Sequence, residues 1–280
     1  MNSSSAFRVP ARRAKKRLGQ HFLRDPRTVT RIVDFAALET DEEVLEIGPG
    51  EGVLTTALLA RGARVTAVET DRDLWEPLSR RLREAGREQT FNLVEGDFLK
   101  LDLEALLADR APLAVVANIP YQITTPILFR LIRERHLFSR AVLMMQEEVA
   151  ARLLAAPGSK EYGRLTVGVS LYCELTSGFR VPPGAFSPPP KVFSRVVRLD
   201  FRSEPRYPVK DYRLLERLLL VLFSQRRKQI INPLKGMLPH LERDELAERL
   251  RRAGFSPETR PALLSVAELV RLADCLEEWK

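Results

Sequence analysis

Between residues 44 and 145, short apolar runs rich in β-branched residues alternate with segments whose apolar positions recur at helical spacing. The runs lie at 44–48, 64–69, 91–94, 113–117 and 140–145, and helical spacing is clearest at 53–60 and 72–84. Strands that alternate with helices in this way predict a parallel sheet joined by right-handed crossovers. The pattern therefore predicts an α/β fold.

The pattern changes after residue 145. Two further β-rich runs, 165–176 and 194–201, flank a proline-dense loop at 181–190 and leave no room for a crossover helix, so we expect an antiparallel hairpin at the sheet edge. Beyond residue 203 we find only helical patterns, at 211–225, 243–253 and 265–279, the last with a Ser265/Glu268 capping box. We expect three regions: an arm at 1–17, an α/β domain at 18–202 and a small all-α domain at 203–280.

Composition narrows the class of protein. The 280 residues are 45% apolar and 29% charged, which is typical of a chain with a packed core. No apolar run reaches the ~18 residues that a membrane span needs. Cys173 and Cys275 lie far apart without the spacing of a zinc site or a disulfide framework. We therefore expect a cytoplasmic protein without a metal site or a membrane segment.

The net charge of +8 is concentrated in the first 31 residues, which hold nine basic side chains and one acid. Such an arm is typical of polyanion binding, although a solvated tail or a transit peptide would have a similar composition. A second basic cluster follows the helical pattern at 211–225. It too could bind a polyanion, and the alternative is that it is only the solvated end of a helix. The residues predicted to contact a polyanion are Arg12, Arg13, Lys15, Lys16, Arg17, Arg226, Arg227 and Lys228.

A glycine-rich turn follows the first predicted strand. Gly48, Gly50 and Gly52 allow a sharp turn and a close approach of ligand to backbone amides, and Glu69 at the end of the next strand can accept ribose hydroxyls. The spacing GxGxG, rather than GxGxxG, favours S-adenosylmethionine over NAD, while a tight turn without ligand is the alternative. Asp97, after the third strand, is placed to accept from an adenine amine or to cap a turn.

The segment ANIPYQI, residues 117–123, ends the fourth predicted strand. The Asn118 side-chain carbonyl and the Ile119 backbone carbonyl can accept two hydrogen bonds from a planar amine, Pro120 holds the backbone, and the Tyr121 ring can stack on the base. An adenine amine held in this way would expose its nitrogen lone pair to a methyl donor. A plain turn is the alternative.

Several segments together resemble one family. KKRLGQHFL (15–23), EIGPGEGVLT (46–55), NIPYQI (118–123), GAFSPPPKVFS (184–194) and FSQRRK (223–228) occur in the order found in the small-subunit ribosomal RNA dimethyladenosine transferases, the KsgA/RsmA family. The resemblance extends from about residue 15 to 232. It implies a Rossmann-like class I methyltransferase sheet, mostly parallel, which assigns the 18–202 domain to S-adenosylmethionine-dependent methyl transfer.

The resemblance also implies a substrate and further site residues. The substrate would be two adjacent adenosines in the 3′-terminal hairpin of 16S rRNA within the 30S subunit or its precursor, each receiving two methyl groups. The implied cofactor contacts are His21, Leu23, Gly48, Glu69, Asp97 and Asn118. Position 21 is Asn in many members and His here. Phe186 would face Tyr121 across the extruded base, unless it belongs to the core as part of a rigid connection.

Three other functions share parts of this pattern. An Erm-type enzyme, which methylates adenine in 23S rRNA, shares the fold and NIPY, but LGQHFL and FSQRRK count against it. A fold-retaining RNA-binding assembly factor would not need the catalytic positions, which are intact. An NAD oxidoreductase is disfavoured by the glycine spacing. We expect a monomeric rRNA adenine dimethyltransferase that has a role in 30S biogenesis and holds its RNA through the arm and the basic cluster.

Overall fold

The structure, a computed structural model, describes residues 20–279, so the predicted basic arm at 1–17 and its residues Arg12, Arg13, Lys15, Lys16 and Arg17 lie outside the described residues. The strands are β1 (Phe22–Leu23), β2 (Glu43–Ile47), β3 (Arg64–Glu69), β4 (Phe91–Glu95), β5 (Leu113–Asn118), β6 (Phe138–Gln146), β7 (Cys173–Val181), β8 (Phe186–Ser187) and β9 (Ser194–Phe201). The helices are α1 (Pro26–Ala36), α2 (Val53–Ala60), α3 (Arg72–Glu84), α4 (Leu103–Leu107), α5 (Thr124–Arg133), α6 (Glu147–Leu153), α7 (Arg164–Tyr172), α8 (Tyr212–Ser224), α9 (Ile231–Met237), α10 (Arg243–Arg252) and α11 (Val266–Glu278).

Seven strands form one sheet in the order β4-β3-β2-β5-β6-β9-β7. The pairs among β2 to β6 are parallel, and β9 runs antiparallel to β6. The strand order reverses between β2 and β5, and in an open parallel sheet ligands bind at the carboxyl ends of the strands at such a point. The five predicted parallel strands are confirmed, and the glycine-rich turn and NIPY follow the two strands at the reversal.

The internal packing divides the described residues into two units. The first contains residues up to Ala150 together with Glu174–Phe201, and the second contains Ala151–Cys173 together with the residues from Arg202 onward. We predicted that the first domain would span 18–202. Residues 151–173 differ from that prediction, because their apolar side chains pack with the helices of the second unit.

The predicted strand at 165–176 is wrong over most of its length. Residues Arg164–Tyr172 form α7, and the strand β7 begins only at Cys173. Val167 and Leu171, four residues apart, lie on one helix face and are buried in the core of the second unit. This burial outweighs the β propensity of the β-branched residues in the segment.

The second unit is helical apart from the first residue of β7. α8, α10 and α11 coincide with the predicted helices to within one residue at each end, and the Ser265/Glu268 capping box is confirmed, with Glu268 N–H donating to Ser265 Oγ at 3.2 Å. α9 was not predicted, because INPLKGM contains Pro233 and Gly236, both of which weaken a helical pattern.

Candidate active site

A cavity of about 280 Å³ lies at the carboxyl ends of β2, β3, β4 and β5 in the first unit. Ten of the predicted site residues line it: His21, Leu23, Gly48, Gly50, Glu69, Asp97, Asn118, Ile119, Pro120 and Tyr121. Gly52 and Phe186 are not among the lining residues. The strand order brings together segments that are far apart in the sequence, and one cavity therefore holds both the predicted cofactor site and the predicted amine site.

The glycine-rich turn connects β2 to α2 and has three residues with positive φ. Gly50 has φ +59°, and a Cβ at this position would lie 3.1 Å from the Phe22 ring. Gly52 has φ +76°, and its Cβ would lie 2.4 Å from Leu78 Cδ1. Gly52 is also the N-cap residue of α2, so its backbone sets the direction in which that helix leaves the site. The turn thus requires glycine at these positions, both because φ is positive and because neighbouring side chains leave no space for a Cβ.

Replacing Gly52 with alanine should lower the free energy of unfolding by about 2 kcal/mol more than replacing Gly86. Gly86 also has a positive φ, +63°, but a Cβ there would meet no atom within 4 Å. Both substitutions pay the left-handed backbone penalty, and only Gly52→Ala must also displace the buried Leu78. Urea denaturation of the two variants measures the difference. Equal losses would mean that the space around Gly52 is not restrictive.

Glu69, at the end of β3, is buried and already holds backbone around the cavity. Its Oε2 accepts from Gly50 N–H at 3.0 Å and its Oε1 from Asp71 N–H at 2.7 Å. Burial raises the pKa of Glu69, and these two backbone hydrogen bonds act against the rise. A carboxylate offers about four acceptor positions, so the two oxygens can still accept ribose hydroxyls.

Asp97 and Glu46 are two of the other acids that line the cavity. Asp97 follows β4 and accepts from Leu99 N–H at 3.0 Å, which orients its carboxylate at the end of the strand. Glu46 on β2 is 2% exposed, and its Oε2 has no hydrogen-bond partner within the described residues. Burial, with a contribution from the charge of Glu69, raises the pKa of Glu46 to about 8, while Thr55 acts against the rise. Sequence reasoning missed Glu46, although an acid within the apolar run VLEI was a signal.

The residues fit the cationic nucleoside S-adenosylmethionine. The orphaned Glu46 oxygen offers an acceptor for a positive group, the glycine turn leaves backbone free of side chains, and Glu69 and Asp97 can accept from ribose and adenine. Among residues 20–279, no three His, Cys, Asp or Glu side chains are grouped so as to hold a metal ion. No helix in the same range is long and apolar enough to cross a membrane.

The NIPY segment leaves β5 on the other side of the cavity. Asn118 Nδ2 donates to the His21 carbonyl at 3.1 Å, which leaves Asn118 Oδ1 as an acceptor. The Ile119 N–H donates to the Met144 carbonyl at 3.1 Å and fixes the backbone to β6. Tyr121 Oη and Ser194 Oγ are 2.6 Å apart, and burial raises the pKa of Tyr121. Hydrogen bonds to the His21 carbonyl, to β6 and to Ser194 therefore hold the segment in place.

His21 stacks on Tyr121, with ring centroids 5.5 Å apart and an interplanar angle of 30°. Its Nδ1 lies 2.8 Å from the Pro188 carbonyl oxygen, which only accepts, so Nδ1 carries the hydrogen. The resemblance implied a cofactor contact for His21. The structure places the side chain beside the cavity and also against the aromatic ring that is predicted to hold the target base.

The location of Phe186 differs from the prediction that it faces Tyr121 across the target base. β8 pairs with β1 so that Phe186 lies opposite Leu23, and both side chains are buried in the core of the first unit. Phe186 is 4% exposed. Burying a phenyl ring removes a large apolar surface from water, which favours this placement.

The basic cluster after α8 lies in the second unit. Arg226 is only partly exposed, because its guanidinium donates to the backbone carbonyls of Ser159 and Lys160. Arg227 and Lys228 are exposed. RNA contacts at Arg226, Arg227 and Lys228 stay predictions, and Arg226 also holds the loop at 159–160.

Comparison with known proteins shows which family the chain is similar to. The profile of the ribosomal RNA adenine dimethylase family matches residues 11–278. The chain is 44% identical over 265 residues to the ribosomal RNA small subunit methyltransferase A of Syntrophotalea carbinolica, covering 95% of this chain and 97% of that one. It is 42% identical over 266 residues to the protein of the same name from Pseudomonas fluorescens Pf-5, covering 95% of each.

Two solved structures have the same fold. A dimethyladenosine transferase from Plasmodium falciparum is 30% identical and aligns with a TM-score of 0.76, covering 90% of this chain and 96% of that one. The 23S rRNA methyltransferase ErmE is also 30% identical and aligns with a TM-score of 0.66, covering 91% and 99%. The fold is that of a Rossmann-like methyltransferase. With a matching family profile and relatives above 40% identity along nearly its whole length, the chain belongs to the ribosomal RNA adenine dimethylase family.

Proposed function

We propose that the protein transfers two methyl groups from S-adenosylmethionine to the exocyclic amine of each of two adjacent adenosines in the 3′-terminal hairpin of small-subunit rRNA. The observation that carries the proposal is the shared cavity. Asn118 and Tyr121 at the end of β5 open onto the same space as the glycine turn after β2 and Glu69 at the end of β3. An amine acceptor and a nucleoside site in one cavity suit methyl transfer to a base.

The chain's own residues would activate the amine by position. An adenine amine is a weak nucleophile because its lone pair is delocalised into the ring. Asn118 Oδ1 and the Ile119 carbonyl would accept hydrogen bonds from the two N–H groups of the amine and favour a tetrahedral nitrogen. The Tyr121 ring would stack on the base. When bound, S-adenosylmethionine supplies a methyl group on a sulfonium, so that the N–C bond forms as the S–C bond breaks and the amine proton passes to solvent. Orientation of the amine toward the methyl group would supply most of the rate enhancement.

The relatives support the small subunit as the source of the RNA. Those at 42% and 44% identity are named small-subunit methyltransferases, whereas the structure named as a 23S enzyme is 30% identical. The proposal includes a cytoplasmic location, where a ribosomal substrate would be met, and a role in 30S biogenesis. The exposed Arg227 and Lys228 and the basic arm at 1–17 would contact RNA phosphates. A monomeric state stays a prediction.

Methyl-labelled S-adenosylmethionine, offered with small subunits that lack these methyl groups, with large subunits or with DNA, should label the small subunit alone. The label should reside in dimethyladenosine after nuclease digestion and chromatography. Label in the large subunit would instead indicate an Erm-type enzyme. Tight RNA binding without any label would indicate an assembly factor that has lost catalysis. Either result contradicts the proposal.

A further inference from the structure

An exposed aromatic residue lies beside the site and has no part in the mechanism above. Phe193 is 37% exposed, whereas most large apolar side chains of the first unit are buried. The Arg180 guanidinium carbon lies 3.6 Å from the centroid of the Phe193 ring, and the Arg180 side chain is itself 55% exposed. The two side chains therefore present a flat cationic surface to solvent.

This surface is held in place from below. The Phe193 carbonyl accepts from Glu147 N–H at 3.0 Å, at the point where β6 passes into α6. The Glu147 carboxylate lies 3.6 Å from Arg180 Nε and 2.9 Å from Arg195 Nη2. Two cations, Arg180 and Arg195, therefore contact one carboxylate. The surface is therefore fixed in position and positive overall.

The surface adjoins the amine site. Phe193 directly precedes Ser194, which is fully buried and bonded through its hydroxyl to Tyr121 Oη at 2.6 Å. Side chains alternate between the two faces at the start of β9, so Ser194 points inward to Tyr121 while Phe193 points outward. Phe193 and Ser194 are neighbours in the chain, so the surface begins one residue from the buried contact with Tyr121.

We propose that Arg180 and Phe193 form a stacking platform for the unpaired base next to the target adenosine. The inference rests on the proposed function and adds to it a second base-binding position. An adenine drawn into the cavity leaves its neighbour without a stacking partner, and unstacked RNA bases stack on aromatic rings and guanidinium planes. The outer face of Arg180, supported from beneath by Phe193, offers such a plane, and the surrounding positive charge suits the adjoining phosphate.

Steady-state methylation of small subunits that lack the methyl groups tests the platform in the full-length enzyme. Arg180→Ala and Arg180→Lys should each raise KM for the particle about 10-fold and leave kcat within about 2-fold of wild type, since base stacking on such side chains is of this order. Arg180→Lys keeps the charge and loses the plane. Arg31→Lys is the matched control, because Arg31 covers the Phe179 ring at 3.7 Å on a helix that contributes no residue to the cavity lining.

A second measurement separates stacking from charge. With a hairpin RNA that contains a single target adenosine, an abasic residue at one of the two flanking positions should weaken binding to wild type about 10-fold and leave binding to Arg180→Lys nearly unchanged. If Arg180→Lys behaves as wild type and only Arg180→Ala is impaired, the contact is to a phosphate or an acidic protein side chain, and the platform is overturned. Equal abasic penalties in both proteins at both flanks would also overturn it. Methylation of small subunits by wild type in the steady-state assay tests the proposed function separately from the platform.

Discussion

Replacing Asn118 with alanine should reduce kcat about 10²–10³-fold while the dissociation constant for S-adenosylmethionine changes less than about 10-fold. Removing one preorganised polar group from a reacting centre has a cost of this size. Asn118 Nδ2 is bonded to the His21 carbonyl, so Oδ1 is the atom available to the amine. Single-turnover methylation gives the rate, and calorimetric titration with S-adenosylmethionine gives the affinity.

Two variants make this result interpretable. Asn92→Ala removes an exposed asparagine from β4 in the same unit and should leave both quantities unchanged. Asn118→Asp keeps an acceptor and loses the donor to His21, so it should retain more turnover than Asn118→Ala if acceptance from the amine is what matters. Near-normal turnover in Asn118→Ala would contradict the role given to this side chain.

Sequence reasoning located the site residues that lie at the ends of strands. Gly48 and Gly50 follow β2, Glu69 ends β3 and Asn118 ends β5, and the carboxyl ends of neighbouring parallel strands meet at one edge. Once the strands are assigned from the apolar pattern, the shared cavity follows. Each assignment needs only a local pattern and a rule of topology.

The contacts that sequence reasoning could not predict depend on pairing between distant segments. Phe186 enters the core because β8 pairs with β1, which is more than 160 positions away. His21 stacks on Tyr121 through the same pairing. No local pattern contains this information. α7 is a similar case, because β-branched residues adopt a helix where Val167 and Leu171 can be buried together.

The buried acids explain a further property of the protein. Glu46 and Glu69 both line the cavity, and burial raises the pKa of each. A site that is to receive a cation gains from acceptors kept out of water, since electrostatic interactions are stronger there. The protein without ligand is less stable as a result, because it must either keep these carboxyl groups protonated or bury their charge.

The free energy of unfolding of the ligand-free protein should therefore fall as pH rises from about 4.5 to about 8, and Glu46→Gln should remove most of that fall. The pKa of Glu46 is raised from its ordinary 4.5 to about 8 in the folded protein. A carboxyl group with a raised folded pKa favours folding fully below its unfolded pKa, and this contribution is lost as pH rises through the folded value. One pKa unit is about 1.4 kcal/mol, so the change across this range is a few kcal/mol.

Denaturant titrations of wild type and Glu46→Gln at pH 5.5 and 8.5 measure this dependence. Glutamine is neutral at both values and similar in size, so the variant should match wild type at the lower pH and exceed its stability at the higher one. Glu95→Gln, at an exposed position that ends β4, is the control and should keep the wild-type dependence. Because Glu69 is also buried with a raised pKa, a smaller fall of the same sign should persist in Glu46→Gln. Parallel profiles for wild type and Glu46→Gln would mean that Glu46 is already ionised in the folded protein at pH 5.5, and that the cavity is more polar than its lining indicates.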